Sequence, residues 1–142
     1  MIRVYTASKL RHGLLWREKF QRSSIAFVNS RWLQHDFIGT PDSPDLAIDF
    51  WVEDEEDVKS CDALVVYAAP EDHLRGALVE VGMAIAYGKP IIALGDHSDY
   101  GTWRYHPQVI NVKSWDHLLI ALKAIDKQLK ERGKWNKSHG SI

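Results

Sequence analysis

Five short apolar segments alternate with longer amphipathic segments along this 142-residue chain. The apolar segments are nearly continuous, as is typical of strands that are buried on both faces of a parallel sheet. They are Ile2–Tyr5, Ile25–Val28, Ala63–Tyr67, Ile91–Leu94 and Val109–Val112. The segments with helical spacing of apolar residues are Lys9–Gln21, Asp45–Lys59, His73–Tyr87 and Trp115–Glu131. This alternation predicts a single-domain, flavodoxin-like α/β fold, in which a parallel five-stranded sheet has helices on both faces.

The predicted domain spans residues 1–132. Residues 133–142 are polar and contain two glycines, so we expect a flexible C-terminal tail there. The segment Arg31–Pro44 is long for a passive connection, and long loops in compact domains are often functional.

Composition excludes several classes of protein. The chain is 45% hydrophobic and has six tryptophans, which excludes a disordered chain. No apolar run approaches the ~20 residues of a membrane-spanning helix, and no signal-peptide core follows Met1. A net charge of −1 provides no broad basic face for a nucleic acid polymer. The single Cys61 excludes an internal disulfide and a cysteine-based zinc cluster, and a reducing, cytoplasmic location is expected.

Ligands of open α/β sheets bind at the carboxyl ends of the strands. That rule selects residues 6–9, 29–31, 68–72 and 95–97, which follow the first four predicted strands. None of these segments carries a dinucleotide fingerprint or a P-loop, and the chain has no HExxH or GxSxG motif. The seven histidines are scattered singly, so no metal site is predicted.

The most informative segment runs from residue 62 to residue 95. A buried strand leads through an acidic loop into a helix that carries Glu80. The apolar stripe of this helix consists of Leu74, Leu78, Val81 and Ile85. Glu80 lies well off that stripe, and the pattern alone favours a solvated glutamate on an exposed helix face. Its neighbours are small, however, and leave room for a ligand beside the carboxyl group: Gly76, Ala77, Gly82, Ala84 and Ala86.

This segment resembles the nucleoside 2-deoxyribosyltransferase family and its relatives, the 5′-deoxynucleotide N-hydrolases. The strand Asp62–Tyr67 and the helix Gly76–Gly88 are similar to a family block. In that block, a hydrophobic strand that opens with Asp is followed by G-x-G-x-E-x-G-x-A-x-x-x-G-K. The nucleophilic Glu of the block corresponds to Glu80. The segment Val4–Ser8 is similar to the family's strand and small-residue turn that holds the sugar or its 5′ end. The resemblance covers residues 1–95.

The resemblance implies an enzyme that cleaves the N-glycosidic bond of a (deoxy)nucleoside or its 5′-monophosphate, by hydrolysis or base exchange. Glu80 is the implied nucleophile. The family's second carboxylate corresponds to Asp54, eight residues before Asp62. Asp54 stands in the acidic run 53–57, which by itself is typical of a solvated helix face, and Asp57 is its nearest substitute. No metal or organic cofactor is implied, and a homo-oligomer is expected.

The candidate substrate-binding residues come from the carboxyl-end rule and from the resemblance: Tyr5, Ala7, Ser8, Lys9, Arg11, Asp72 and Gly76. Ser8, Lys9 and Arg11 cluster with His12 at the predicted start of the first helix, where a phosphate can bind. A polar cap followed by an exposed basic turn is an equally good interpretation. Four aromatic residues are candidates for stacking on a base, although core packing is the more ordinary role: Tyr5, Trp32, Trp51 and Trp103.

Two features depart from the family pattern. Leu78 stands at the second glycine of the block, where it would narrow the site or point into the core. The C-terminal residues with which the transferases complete a neighbouring subunit's site are not identified in this sequence, which favours hydrolysis over base exchange. The alternative function is a non-catalytic nucleotide-binding or sensing domain on the same fold. Side chains of Glu80 and Asp54 that point apart would favour that alternative.

Overall fold

The computed structural model describes residues 1–34 and 44–139, with side chains for 1–33 and 44–133. Strands and helices alternate along the chain. They are β1 (Ile2–Ala7), a 3-10 turn (Leu10–His12), α1 (Gly13–Ser23), β2 (Ala26–Val28), a 3-10 turn (Arg31–Gln34), α2 (Pro44–Ser60), β3 (Ala63–Tyr67), α3 (Gly76–Ala86), β4 (Ile91–Leu94), a 3-10 turn (Thr102–Tyr105), β5 (Val109–Val112) and α4 (Trp115–His139). The five strands are parallel in the order β2-β1-β3-β4-β5, which confirms the flavodoxin-like fold.

Two hydrophobic clusters lie on opposite faces of the sheet, because successive side chains of a strand point to opposite faces. In β1, Val4 packs in the cluster that includes residues of α1 and α4. Tyr5 and Ala7 pack in the other cluster, with residues of α2 and α3. The order of the strands reverses between β1 and β3, so the carboxyl ends of these two strands form the edge where a ligand is expected.

Three helix boundaries differ from the sequence-based prediction by three residues or more. The first helix begins at Gly13 rather than at Lys9, because Leu10–His12 forms a separate 3-10 turn. The third begins at Gly76 rather than at His73. The last continues through Gly133 to His139, past the predicted domain boundary at residue 132. Glycine in a helix interior costs only about 1 kcal/mol relative to alanine, so Gly133 does not end a helix of this length.

Most of the segment Arg31–Pro44, for which a functional role is predicted, lies outside the described residues. Among the described helices, none is both long enough and apolar enough to cross a membrane.

Candidate functional site

Glu80 is buried, with only 7% of its surface exposed. The solvated position suggested by the apolar stripe of α3 is therefore wrong, because α2 covers this flank of the helix. Gly76, one turn before Glu80, lies against α2: a Cβ placed on it would be 3.5 Å from the Trp51 ring. Tyr87, only about 20° around the helix from Glu80, donates a hydrogen bond of 2.6 Å to Glu55 of α2.

Burial raises the pKa of Glu80 to about 8. No hydrogen bond or ion pair from the described part of the chain reaches its carboxyl group. Without a ligand, the carboxyl group of Glu80 is therefore mostly in its neutral, protonated form near pH 7. Positive charge developing beside this carboxyl group would be stabilised strongly by its ionised form, because the surroundings are dry.

Asp54 lies half-buried on α2, one turn before Val58. Val58 is fully buried and shares a hydrophobic cluster with Ala77 and Val81 of α3. Residues one turn apart lie on the same side of a helix, so the Asp54 side of α2 faces α3. The two carboxyl-bearing residues thus lie on the facing sides of α2 and α3.

Asp57, the alternative partner for Glu80, is engaged elsewhere. It is buried and accepts the Arg31 backbone N–H at 2.8 Å and the Arg31 Nε–H at 2.9 Å. Its own carbonyl oxygen accepts the Asn29 side-chain amide at 3.0 Å. These contacts connect α2 to the chain that follows β2, which is a structural role.

A second polar cluster stands where the carboxyl ends of β1 and β3 meet. The Asp72 side chain is buried and accepts the Ala69 N–H at 2.8 Å. It also contacts His12 Nε2 at 2.8 Å and forms an ion pair with Arg11. Arg11 reaches the exposed Glu71 at 2.8 Å as well. Desolvation by itself favours the neutral acid, but the hydrogen bonds from His12 and Ala69 and the charges of His12 and Arg11 outweigh it and lower the pKa of Asp72.

Ser8 and Lys9 lie directly before this cluster. The Ser8 hydroxyl accepts the Trp16 Nε1–H at 3.0 Å and donates to the Lys9 carbonyl at 3.2 Å. Lys9 is half-buried, and its ammonium group forms no ion pair with any described residue. Since α1 begins only at Gly13, Ser8, Lys9 and Arg11 precede the α-helix instead of forming its first turn. A phosphate would therefore meet their side chains, without the amides of a long helix.

Tyr5 and Ala7 are fully buried in β1, on the face that α2 and α3 cover. The Tyr5 hydroxyl has no hydrogen-bond partner among the described residues. A buried hydroxyl without a partner costs about 1–3 kcal/mol, so this group is a candidate to bind a ligand or a water molecule.

The three tryptophans that are candidates for stacking on a base have different surroundings. Trp32 is half-buried and donates its Nε1–H to the Thr6 carbonyl at 2.9 Å. Trp103 packs edge-on against Tyr100. Trp51 is exposed and lies against Gly76, beside the buried Glu80, so it is the aromatic residue best placed to contact a substrate there.

Leu78 was expected either to narrow the site or to point into the core. It is exposed on the outer side of α3, so it does neither.

Sequence reasoning also missed Asp99 and Tyr100, which hydrogen-bond the chain between β3 and α3. The carboxyl-end rule stopped at residue 97, two positions before Asp99. Within the described residues, no cluster of three or more His, Cys, Asp and Glu is arranged to hold a metal ion.

A cavity of about 540 Å³ lies away from this site, at the amino ends of the strands. Its lining residues are Met1, Ser24, Ile25, Leu122, Lys123, Asp126, Lys127 and Lys130. Neither Glu80 nor Asp72 borders it, so we do not assign it to the chemistry described above.

Comparison with solved structures finds the same fold in other proteins. The CMP N-glycosidase BcmB of Clostridium botulinum is 22% identical, with a TM-score of 0.50; the match covers 78% of this chain and 87% of that one. A conserved protein from Enterococcus faecalis V583 is 19% identical, with a TM-score of 0.55; the match covers 90% of this chain and 99% of that one. No protein-family model and no curated protein matches the chain. At these identities the comparisons establish a shared fold, and they confirm the fold implied by the resemblance to nucleoside 2-deoxyribosyltransferases.

Proposed function

We propose that this protein cleaves the N-glycosidic bond of a (deoxy)nucleoside or its 5′-monophosphate, with Glu80 as the nucleophile and Asp54 as its partner. The observation that carries the proposal is the burial of Glu80 without a partner among the described residues, on the side of α3 that faces Asp54. A carboxyl group held in this way costs stability and is typical of a catalytic position. The shared fold with a CMP N-glycosidase supports the same class of reaction.

The chemistry follows from the two carboxyl groups. Ionised Glu80 forms a bond to C1′ of the sugar while the C1′–N bond breaks, and the electron pair of that bond leaves with the base. Asp54 steers the Glu80 carboxylate, and the departing base takes a proton from solvent water. A water molecule then attacks C1′ and displaces the Glu80 carboxylate, while Asp54 takes a proton from that water and passes it to the solvent. Two inversions at C1′ give retention of configuration, and neither step requires a metal or an organic cofactor.

The proposed binding site for a 5′-phosphate comprises Ser8, Lys9 and Arg11. Lys9 has no ion-pair partner in the described part of the chain, and Arg11 is held by Asp72 and Glu71. Glu71 is exposed, so a phosphate can replace it on Arg11 while the buried Asp72 keeps the guanidinium in place. The neighbour BcmB is named for a nucleoside monophosphate, which supports a nucleotide over a nucleoside as substrate.

We propose hydrolysis rather than base exchange. Exchange requires a site that holds a second base over the glycosyl–enzyme and excludes water. The C-terminal residues with which the transferases complete that site are not identified in this sequence. Hydrolysis is also the reaction class in the name of the neighbour BcmB.

We also propose a homo-oligomer, as the resemblance implies. Apolar side chains on the outer sides of α2 and α3 support this, since Ile48, Val52 and Val79 are each more than half exposed. Light scattering on the eluate of a sizing column measures the assembly. A monomer at all accessible concentrations would exclude it.

The test of the proposed function is turnover of a panel of ribo- and deoxyribonucleosides and their 5′-monophosphates, starting with CMP and followed by chromatography. We expect free base and sugar 5-phosphate from the wild type, none from Glu80→Gln, and wild-type rates from Glu18→Gln. Glu18 is an exposed carboxylate on α1 and serves as the matched control. Binding of a nucleotide without turnover by the wild type would favour the alternative, a non-catalytic sensing domain.

A further inference from the structure

The chain that follows β4 is hydrogen-bonded to both ends of the loop between β3 and α3, which comprises residues 68–75 and is called the β3–α3 loop below. The Tyr100 hydroxyl accepts the Ala68 N–H at 3.0 Å and lies 2.9 Å from the Leu94 carbonyl, to which it donates. The Asp99 carboxylate accepts the Leu74 N–H at 2.8 Å. The two acceptors, Asp99 and Tyr100, are neighbours in the chain, whereas the two N–H donors, of Ala68 and Leu74, are six residues apart in the loop.

The segment that makes these contacts is itself well ordered by its own hydrogen bonds. The Asp99 backbone N–H donates to His97 Nδ1 at 2.9 Å, and the Tyr100 N–H donates to the His97 carbonyl at 2.9 Å. The Tyr100 side chain is buried in the hydrophobic cluster that α3 joins. The Tyr100 hydroxyl and the Asp99 carboxylate, which accept hydrogen bonds from the β3–α3 loop, therefore belong to a segment that is ordered independently of that loop.

Asp72 lies between the two points at which the loop is held. It is the residue that binds His12 and Arg11, so the position of its carboxylate decides where the Arg11 guanidinium is presented. Inside the loop, Asp72 is fixed only by local contacts with Ala69: the Ala69 N–H donates to its carboxylate, and its own N–H donates to the Ala69 carbonyl at 2.9 Å. The contacts from Asp99 and Tyr100 connect both ends of this loop to the segment that follows β4.

We propose that Asp99 and Tyr100 are positioning residues, which hold the β3–α3 loop so that Asp72 presents Arg11 to the 5′-phosphate of the substrate. The activity readout of this inference rests on the proposed function; the structural readout does not. The position of Glu80 depends less on the β3–α3 loop, because α3 itself packs against β1, β3 and β4. Loss of a loop contact should therefore weaken recognition of the phosphate more than it slows bond cleavage.

The experiment compares Asp99→Ala, Tyr100→Phe and Asp99→Asn. The amide oxygen of Asn can still accept the Leu74 N–H, so Asp99→Asn is the conservative control. We expect Asp99→Ala and Tyr100→Phe to raise KM for the 5′-monophosphate by about tenfold, the equivalent of one hydrogen bond. The value of kcat, and KM for the matching nucleoside, should change less than twofold, and Asp99→Asn should stay near the wild type.

Nuclear magnetic resonance provides the readout that does not depend on turnover. Amide exchange should accelerate at Leu74 in Asp99→Ala and at Ala68 in Tyr100→Phe, and the His12 ring resonances should shift in both, because the Asp72–His12 contact loosens. Unchanged His12 resonances would overturn the positioning role even in an inactive protein. Equal losses toward nucleotide and nucleoside would overturn it in an active one, since a merely structural defect affects both substrates alike.

Discussion

Trp51 of α2 lies against Gly76 of α3, one helical turn before Glu80, and the flank of α3 that carries Glu80 is thereby covered. The carboxyl group is buried by a neighbouring helix rather than by its own apolar stripe. The raised pKa of Glu80 and its dry surroundings both follow from this contact between two helices.

Replacing Glu80 by Gln should stabilise the fold at neutral and alkaline pH. The pKa of Glu80 is about 8 in the folded chain, against an ordinary value of 4.5. The folded state thus holds a proton that the unfolded state has lost, so the contribution of Glu80 to stability is fully present below pH 4.5 and is lost as the pH rises through 8. The amide of a glutamine does not titrate, so the Glu80→Gln variant does not lose stability in this way as the pH rises. Thermal unfolding from pH 5 to pH 9 should show the advantage of the variant growing with pH, and a constant difference would contradict the assignment.

The rate of cleavage should rise with pH through the pKa of Glu80. Only the ionised carboxylate attacks C1′, and with a pKa of about 8 roughly one tenth of the empty enzyme carries it at pH 7. The kcat/KM of the wild type should therefore increase about tenfold from pH 6 to pH 7 and level off above 8. A fall of kcat/KM over the same range would show instead that Glu80 acts as a general acid.

Sequence patterns located most of the fold but not the environment of the site. The bounds of β3, β4 and β5 agree with the prediction, because continuous apolar runs between turn residues are read directly from the chain. The burial of Glu80 was not predictable in this way, since a helical stripe describes one helix and cannot reveal that α2 covers its flank. The role of Asp99 was hidden for a similar reason: a carboxylate that accepts a backbone N–H in another loop carries no local signal. The 3-10 turn Leu10–His12 has apolar and basic residues that also suit an α-helix.

Replacing Asp72 by Asn should destabilise the fold near neutral pH. The pKa of Asp72 is lowered in the folded chain, so its contribution is present above the ordinary carboxyl pKa and is lost as the pH falls through the folded value. We expect Asn to reduce the free energy of unfolding by about 2 kcal/mol at pH 7, because Arg11 and His12 lose the carboxylate that they contact. Glu71→Gln is the matched control, since Glu71 is exposed and its pairing with Arg11 contributes about 0–1 kcal/mol. Chemical denaturation measures both, and equal losses would show that Asp72 is not the stabilising partner.

Arg11→Ala should raise KM for a 5′-monophosphate at least tenfold and leave KM for the matching nucleoside nearly unchanged. Removal of a charge-assisted hydrogen bond to phosphate accounts for a loss of this size. Glu71→Gln should act in the opposite direction, because it frees Arg11 from a competing carboxylate. Steady-state kinetics on a nucleotide and nucleoside pair provide the comparison. Equal effects of Arg11→Ala on both substrates would remove the phosphate from the proposed site.

The most direct test of the account is to trap the covalent intermediate on Glu80. A nucleoside 5′-monophosphate with fluorine at C2′ slows the release of sugar from a glycosyl–enzyme, because the fluorine disfavours positive charge at C1′. After incubation with this substrate, digestion and mass spectrometry should find a fluorinated sugar phosphate attached to the peptide that contains Glu80, and none on the Glu80→Gln variant. Release of the base with no adduct on Glu80, or an adduct on another carboxylate such as Asp54, would contradict the assignment of the nucleophile.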